Sequence, residues 1–397
     1  MNAPLNGVRV LDLSNVLAGP FCCHQLAHLG AEVIKVEAVG RGDLARQLGA
    51  DPELNAAKMG VSFLAQNAGK KSVTLNLKHE DGKALLKRLV ATADVLVENF
   101  RPGVMARLGV GYPVLKQMKP SLVYCAISGF GQDGPWVGRP AYDQIIQGAS
   151  GVMAITGDEA SAPLRVGYPI ADTIGGMTAA FAITAALNDR EHGAFIDISM
   201  LEATIATMGW AVSNYLIAGV EPAAHGNENT TSAPSGAFRA ADGLVNIAAN
   251  KDEQWHLLAR HLGRDDLIDR SEYANREDRK ANRLKLKAEL EETLMTRPAQ
   301  DWARELNRIG VPAGAVLTVP EVLAHPQIAG RGMLASFADA PGVGRDISVV
   351  RTGVKLDGEA PSVNAPPPEL GQHNDEVYGA LGVDPGEMER LRQEGVI

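Results

Sequence analysis

The sequence predicts an α/β protein: a Rossmann-like large domain built on a mostly parallel sheet, and a smaller α+β domain. Three observations predict it. Short β-branched apolar runs alternate with helical spacings through the first third of the chain, the pattern of strands joined by crossover helices. With 45% hydrophobic and 21% charged residues the composition is globular, and 397 residues exceed the usual domain of ~150 residues by more than twofold. The character of the chain also changes near Glu221, which divides it into 1–220 as the N-terminal part of the large domain, 221–330 as the small domain, and 331–397 as a linker and a C-terminal part returning to the large domain.

The elements follow in order. Val8-Arg-Val-Leu-Asp-Leu-Ser reads as a strand, Phe21 to Leu29 as a helix, and Ala31-Glu-Val-Ile-Lys-Val as a second strand, which makes one βαβ unit. The pattern repeats with a strand at Ser72–Asn76, a helix from about Glu80 to Ala91, a strand at Asp94–Val97, a short helix after Pro102-Gly103, and a strand at Leu122–Ile127. Gly30, Gly40 and Gly42 do not form a G-x-G-x-x-G turn, so a nicotinamide or flavin dinucleotide loses its main support. Gly129-Phe-Gly-Gln-Asp-Gly-Pro135 is a loop, and loops of this kind often line sites. Two uncharged stretches, Thr173–Asn188 and Ala203–Val220, flank a strand at Ala194–Ser199. Their glycines, threonines, serine and asparagine make them poor membrane spans, and both are expected as helices buried in protein. A Pro/Ala/Asn-rich stretch through Gly236 leads to a strand at Leu244–Ala249 and charged amphipathic helices from Glu253 to Asn307. The small domain closes near Val311–Val316, before a linker, the Ala365-Pro-Pro-Pro368 run and a short charged tail.

Charge and cysteine use exclude some functions. The net charge of −9 offers no general footprint for nucleic acid or an anionic membrane. Three cysteines cannot frame a chain of this length with disulfides and fit a reducing compartment, and the N-terminus lacks a signal-peptide pattern, so a cytoplasmic protein is expected. His24 and His28, four apart beside Cys22 and Cys23, resemble a zinc pair. Position 25 is Gln25 rather than a glutamate base and no third ligand is evident, so no metal is expected. Neither a G-x-S-x-G elbow nor a Walker loop is present.

Two groups of residues remain. Lys70, Lys71, Arg101, Arg107 and Arg139 fall near the ends of expected strands and helices, where a doubly wound sheet gathers an anion-binding crevice; the alternative is ordinary solvated side chains. Asp172 follows Tyr168-Pro-Ile-Ala and precedes an apolar helix, which reads as an N-cap. There, helix N–H groups and the dipole would hold an ionised carboxylate, a usable nucleophile in a dry site, although a cap with no further role has the same appearance.

Six segments carry a family resemblance: Leu11-Asp-Leu-Ser-Asn-Val-Leu-Ala-Gly-Pro20, Leu29-Gly-Ala-Glu-Val-Ile-Lys-Val-Glu37, Lys70-Lys-Ser-Val-Thr-Leu-Asn-Leu-Lys78, Val97-Glu-Asn-Phe-Arg-Pro-Gly103, Gly129–Pro135 and Leu370-Gly-Gln-His373. In this order they resemble the class III CoA-transferases. The resemblance implies an enzyme moving coenzyme A from an acyl-CoA donor to a free carboxylic acid. Its texture is closest to the succinyl-CoA:dicarboxylate branch, with acceptors such as glutarate, itaconate, mesaconate or citramalate. The family nucleophile falls on Asp172. CoA-binding positions fall on Val16, Leu75, Asn99, Phe100, Arg107 and Leu108, with Lys71, Arg101 and Arg139 as candidates for its phosphates and Leu17 and Tyr142 beside the substrate. The CoA thioester is a substrate, and no resident cofactor is implied.

The same resemblance implies an interlocked homodimer with the uncharged helices between subunits. Leu17 stands where the oxalate-using branch has glutamine, and Ala38 where it has a basic residue, which argues against a formyl-CoA:oxalate type. Acyl-CoA racemases of the same fold are the other alternative. They use a histidine base where this chain has Tyr142, and a phenol with pKa near 10 is poorly matched to α-proton abstraction.

Overall fold

In the computed structural model, which describes residues 3–397, six strands build the main sheet: β1 (Arg9–Asp12), β2 (Glu32–Glu37), β3 (Lys70–Thr74), β4 (Val95–Glu98), β5 (Val123–Ser128) and β6 (Ala194–Ser199). Five more, β7 (Ser235–Arg239), β8 (Leu244–Ala248), β9 (Ala313–Ala315), β10 (Leu334–Phe337) and β11 (Ile347–Val350), form two small antiparallel sheets. All six main-sheet strands are parallel, in the order β3-β2-β1-β4-β5-β6. Strands β1 to β5 are buried almost throughout; β4 and β5 read accordingly as near-continuous apolar runs, whereas β2 and β3 also bury Lys35, Glu37, Lys70 and Ser72. Strand order reverses between β1 and β4, so the loops leaving their carboxyl ends diverge and open a crevice.

Two compact units make up the chain. The first comprises residues up to Val152, Arg165–Val220 and Gln327–Ile397. One face of its sheet packs around Cys22, Leu26, Val97, Cys125, Ala179 and Ile183, the other around Leu86, Leu89, Leu96, Tyr124, Tyr378 and Leu391. The C-terminal segment is tied to this sheet: Tyr378 Oη donates to the Thr74 carbonyl at 2.7 Å, and the Asn76 N–H to the Val396 carbonyl at 2.8 Å. The second unit, Met153–Leu164 with Glu221–Pro326, packs helices Asp252–His261, Arg283–Leu294 and Ala299–Arg308 with the β7-β8-β9 sheet around Trp255, Leu258, Leu290 and Leu306.

Three readings of the sequence need correction. The stretch after 331 is more than a linker, since it contains the β10–β11 hairpin. Residues 153–164 belong with the second unit although they precede it by more than fifty positions. Of the two uncharged stretches, the first forms the Ile170–Ala186 helix and is buried along one side. The second breaks at Gly209, and its Trp210–Ala218 half has no buried residue, because nothing among the described residues covers it. No helix among the described residues is long and apolar enough to cross a membrane.

Candidate active site

The crevice at the strand reversal is held open by its own loops. The Asn15 N–H donates to Asn99 Oδ1 and Asn99 Nδ2 donates to the Asn15 carbonyl, both at 2.8 Å, so the loops after β1 and β4 lock reciprocally. Beneath them lies a dry ion network. Lys70 Nζ sits 2.8 Å from Asp12 Oδ2 and donates to the Pro20 carbonyl, while Lys35 Nζ pairs with Asp43 at 2.9 Å and donates to the Ser14 carbonyl; all four side chains are fully buried. Burial alone would raise the Asp12 carboxyl, but Lys35 and Lys70 hold it well below the usual range. Asp43 Oδ1 in turn accepts the Val16 N–H at 2.9 Å, which helps keep Val16 at φ 67°, a conformation that β-branched residues rarely adopt. At the end of β4, Glu98 Oε2 accepts the Phe100 N–H at 2.7 Å and orients that ring's loop; burial pushes the Glu98 carboxyl up to about 7.

Asp172 reaches the crevice from the Ile170–Ala186 helix. It is the third helical residue and not the cap that the sequence predicts, because the helix begins directly after Pro169. The capping role falls to Asp143, whose Oδ1 accepts the Ala171 N–H at 2.9 Å and whose Oδ2 accepts Gln147 Nε2 at 2.7 Å. The helix lies against Ala18–His28 at glycine spacing: a Cβ on Gly176 would stand 2.4 Å from the Ala18 carbonyl oxygen. The helix end was expected to hold the Asp172 carboxylate ionised, and its surroundings act against that charge. Burial, and then the charge of Asp143, push its carboxyl up to about 7.

Three adjoining cavities surround these loops. A crevice of about 380 Å³ is bounded by Asn15, Val16, Leu17, Asn99, Phe100, Arg101, Arg139, Tyr142 and Asp172. It shares Asn15 and Phe100 with a second crevice of about 670 Å³, which reaches Leu75 and Leu108. It shares Val16, Leu17, Tyr142 and Asp172 with a third cavity of about 860 Å³, walled largely by Phe21, Leu48, Val61, Met177, Met333 and Val350. The structure thus brings together Asp172, Val16, Leu17, Leu75, Asn99, Phe100, Arg101, Leu108, Arg139 and Tyr142. Arg139 is stacked over the Trp136 ring at 4.5 Å.

Arg107 is exposed one residue before Leu108 and lines none of these spaces. Lys71 does not join the group either. It lies near the opening of β3, away from the strand's carboxyl end, and its ammonium pairs with Glu32 at 2.8 Å and Glu376 at 2.7 Å. Its neighbour Lys70 is neither solvated nor free for an anion, being bound to Asp12.

His24 and His28 are packed edge to face, with 3.2 Å between their Nε2 atoms, and His24 Nε2 lies 3.0 Å from the Val350 carbonyl. Burial pushes the two imidazoles down to about 3 and about 4, so both are neutral near pH 7. No group of three or more His, Cys, Asp or Glu among the described residues could hold a metal ion. Sequence reasoning passed over Asn15, Lys35, Asp43 and Gln147 as site-building residues. Asp143 and Asp172 stand twenty-nine positions apart on different elements, so no spacing rule links them. The nearest available signal was that acids and a lysine within otherwise apolar strands, as in Val-Ile-Lys35-Val-Glu37, need buried partners.

Comparison with known proteins adds to this geometry. A family model described as CoA-transferase family III matches residues 5–374. The chain is 36% identical over 398 residues to a succinyl-CoA:glutarate CoA-transferase of Mus musculus, covering 99% of this chain and 90% of that protein. It is 41% identical over 335 residues to an acetyl-CoA:oxalate CoA-transferase of Acetobacter aceti, covering 83% and 85%. Among solved structures, a CAIB/BAIF family protein from Brucella suis superposes with a TM-score of 0.84 at 35% identity, covering 96% of this chain and all of that one.

Proposed function

The chain belongs to CoA-transferase family III, and from that premise we propose that it moves coenzyme A from an acyl-CoA donor, succinyl-CoA or a close analogue, to a free dicarboxylic acid through covalent intermediates on Asp172. One observation carries the reading. The raised, half-buried Asp172 carboxyl stands where the crevice at the strand ends meets the large apolar cavity, so a thioester spanning both has its carbonyl beside the nucleophile. The Rossmann-like strand order supports CoA binding across the β1/β4 reversal, with Arg101 and Arg139 toward its phosphates.

The Asp172 carboxylate adds to the thioester carbonyl, and collapse of the tetrahedral adduct expels CoA thiolate and leaves an aspartyl–acyl anhydride. The thiolate then attacks the aspartyl carbon, releasing the donor acid and leaving an aspartyl-CoA thioester. The acceptor carboxylate attacks that thioester and expels thiolate again. The thiolate finally attacks the acceptor's acyl carbon, giving the new acyl-CoA and free Asp172. One thioester is exchanged for another, so neither ATP nor a resident cofactor is needed. Burial matters twice: it raises the nucleophile's basicity, and it keeps water from the anhydride and thioester.

The protein acts as an interlocked homodimer in the cytoplasm. The uncovered Trp210–Ala218 helix supports a partner copy, and three buried, unbridged cysteines support the compartment. Initial rates over a matrix of donors and acids test the function: parallel double-reciprocal lines with succinyl-CoA and a dicarboxylate are expected. Rapid solvent deuterium uptake at the α-carbon of a 2-methylacyl-CoA, without transfer, would establish a racemase instead.

A further inference from the structure

Two arginines line the large cavity, and their donors are differently engaged. Arg351 is 3% exposed, and its guanidinium donates to the backbone carbonyls of Gly332, Thr352, Val354 and Arg331, which makes it a brace for the segment around β11. Arg165 has a side chain 45% exposed and makes no hydrogen bond among the described residues. Its single ionic neighbour among the described residues is Asp143 Oδ2 at 3.6 Å, beyond hydrogen-bonding distance, and that carboxylate already accepts from Ala171 and Gln147. The backbone beside it is fixed, because the Val166 N–H donates to Gln147 Oε1 at 2.9 Å. The structure therefore holds a cation with an uncommitted donor fork, on an anchored stretch of backbone, in the same cavity as Asp172, and the wall around them is mostly hydrocarbon: Phe21, Val61, Met177, Met333.

A planar guanidinium with uncommitted N–H groups matches a carboxylate in two-point geometry. A molecule complementary to this cavity has one carboxyl or thioester at Asp172, an apolar carbon chain, and a second carboxylate. We propose that Arg165 receives the remote carboxylate of the acyl group in both half-reactions and sets the preference for dicarboxylic acids with a hydrocarbon spacer over monocarboxylic acids and oxalate. This assignment rests on the Asp172 reading of the preceding section.

The test compares wild type with Arg165→Met and Arg165→Lys, using succinyl-CoA as donor and glutarate, pentanoate and oxalate as acceptors. Rates of CoA-adduct formation on Asp172 from succinyl-CoA and from butyryl-CoA provide a second readout that needs no acceptor. Arg165→Met should lower the glutarate:pentanoate ratio of kcat/KM by roughly tenfold to a hundredfold, mainly through KM, with the succinyl:butyryl ratio falling alongside and Arg165→Lys recovering part of both. Equal losses for all acids, or an unchanged ratio, would overturn the assignment while leaving transfer at Asp172 intact. A wild type that forms no adduct and transfers to no acid would overturn the parent reading and this one together, a result distinct from either.

Discussion

Replacing Asp172 by asparagine should stabilise the protein in alkali and leave it nearly unchanged in acid. The carboxyl has an ordinary value of 3.8 in the unfolded chain and about 7 in the fold, where burial and then Asp143 oppose its charge. Below 3.8 it is protonated in both states. Between the two values the folded protein keeps a proton that the unfolded chain has released, so each unit of rising pH removes about 1.4 kcal/mol of stability. Above about 7 the loss is complete, with a ceiling of about 4 kcal/mol. Because Asp172 is only half-buried, solvent screening brings the expected difference to about 2–3 kcal/mol. Glu98, raised to the same range by burial, titrates in both proteins and cancels from the comparison. Thermal unfolding at about pH 4 and about pH 8.5 reads the effect: midpoints should coincide in acid and separate by several degrees in alkali, with the asparagine variant higher. An equal offset at both pH values, or a wild type more stable than the variant in alkali, would mean that the fold does not raise the Asp172 carboxyl.

Other outcomes follow from the same contacts. With the ionised carboxyl as the proposed nucleophile, kcat/KM should rise with pH through about 7 to a plateau, and Asp143→Asn should move that rise to lower pH by removing the second of the two causes, as pH–rate profiles of both proteins will show. Gly176→Val places a side chain against the Ala18 carbonyl, where backbone cannot yield cheaply. A loss of about 1–3 kcal/mol is expected, with activity reduced even at temperatures where the variant is fully folded by circular dichroism. Lys70→Met leaves Asp12 buried beside Lys35 at 3.8 Å, and urea unfolding should show a loss of about 3–5 kcal/mol, partly recovered when Asp12→Leu is added.

The sheet was legible because several of its parallel strands, covered on both faces, are short β-branched apolar runs such as Val123–Ile127 that alternate with helical spacings. Helix Glu80–Ala91 was readable from its moderate amphipathic spacing. The start of the Asp172 helix was misplaced because its cap is supplied from outside the segment, by Asp143, and local pattern cannot report a remote carboxylate. Lys71 and Lys70 misled for a related reason. Their positions near a strand terminus were read from the chain, whereas their partners Glu32, Glu376 and Asp12 are set by parallel pairing and by the return of the C-terminal segment to the sheet. The neutral state of His24 and His28 depends on burial, which spacing four apart on a helix does not encode.

In the proposed mechanism Asp172 carries coenzyme A during turnover. Enzyme mixed with succinyl-CoA alone, quenched, reduced with borohydride or treated with hydroxylamine, and digested with trypsin will yield the 166–190 peptide for mass spectrometry. The modification should map to Asp172 and disappear in Asp172→Ala together with activity. Modification at Asp143 or Asp133, or an unmodified Asp172 in protein that continues to transfer CoA, would contradict that mechanism.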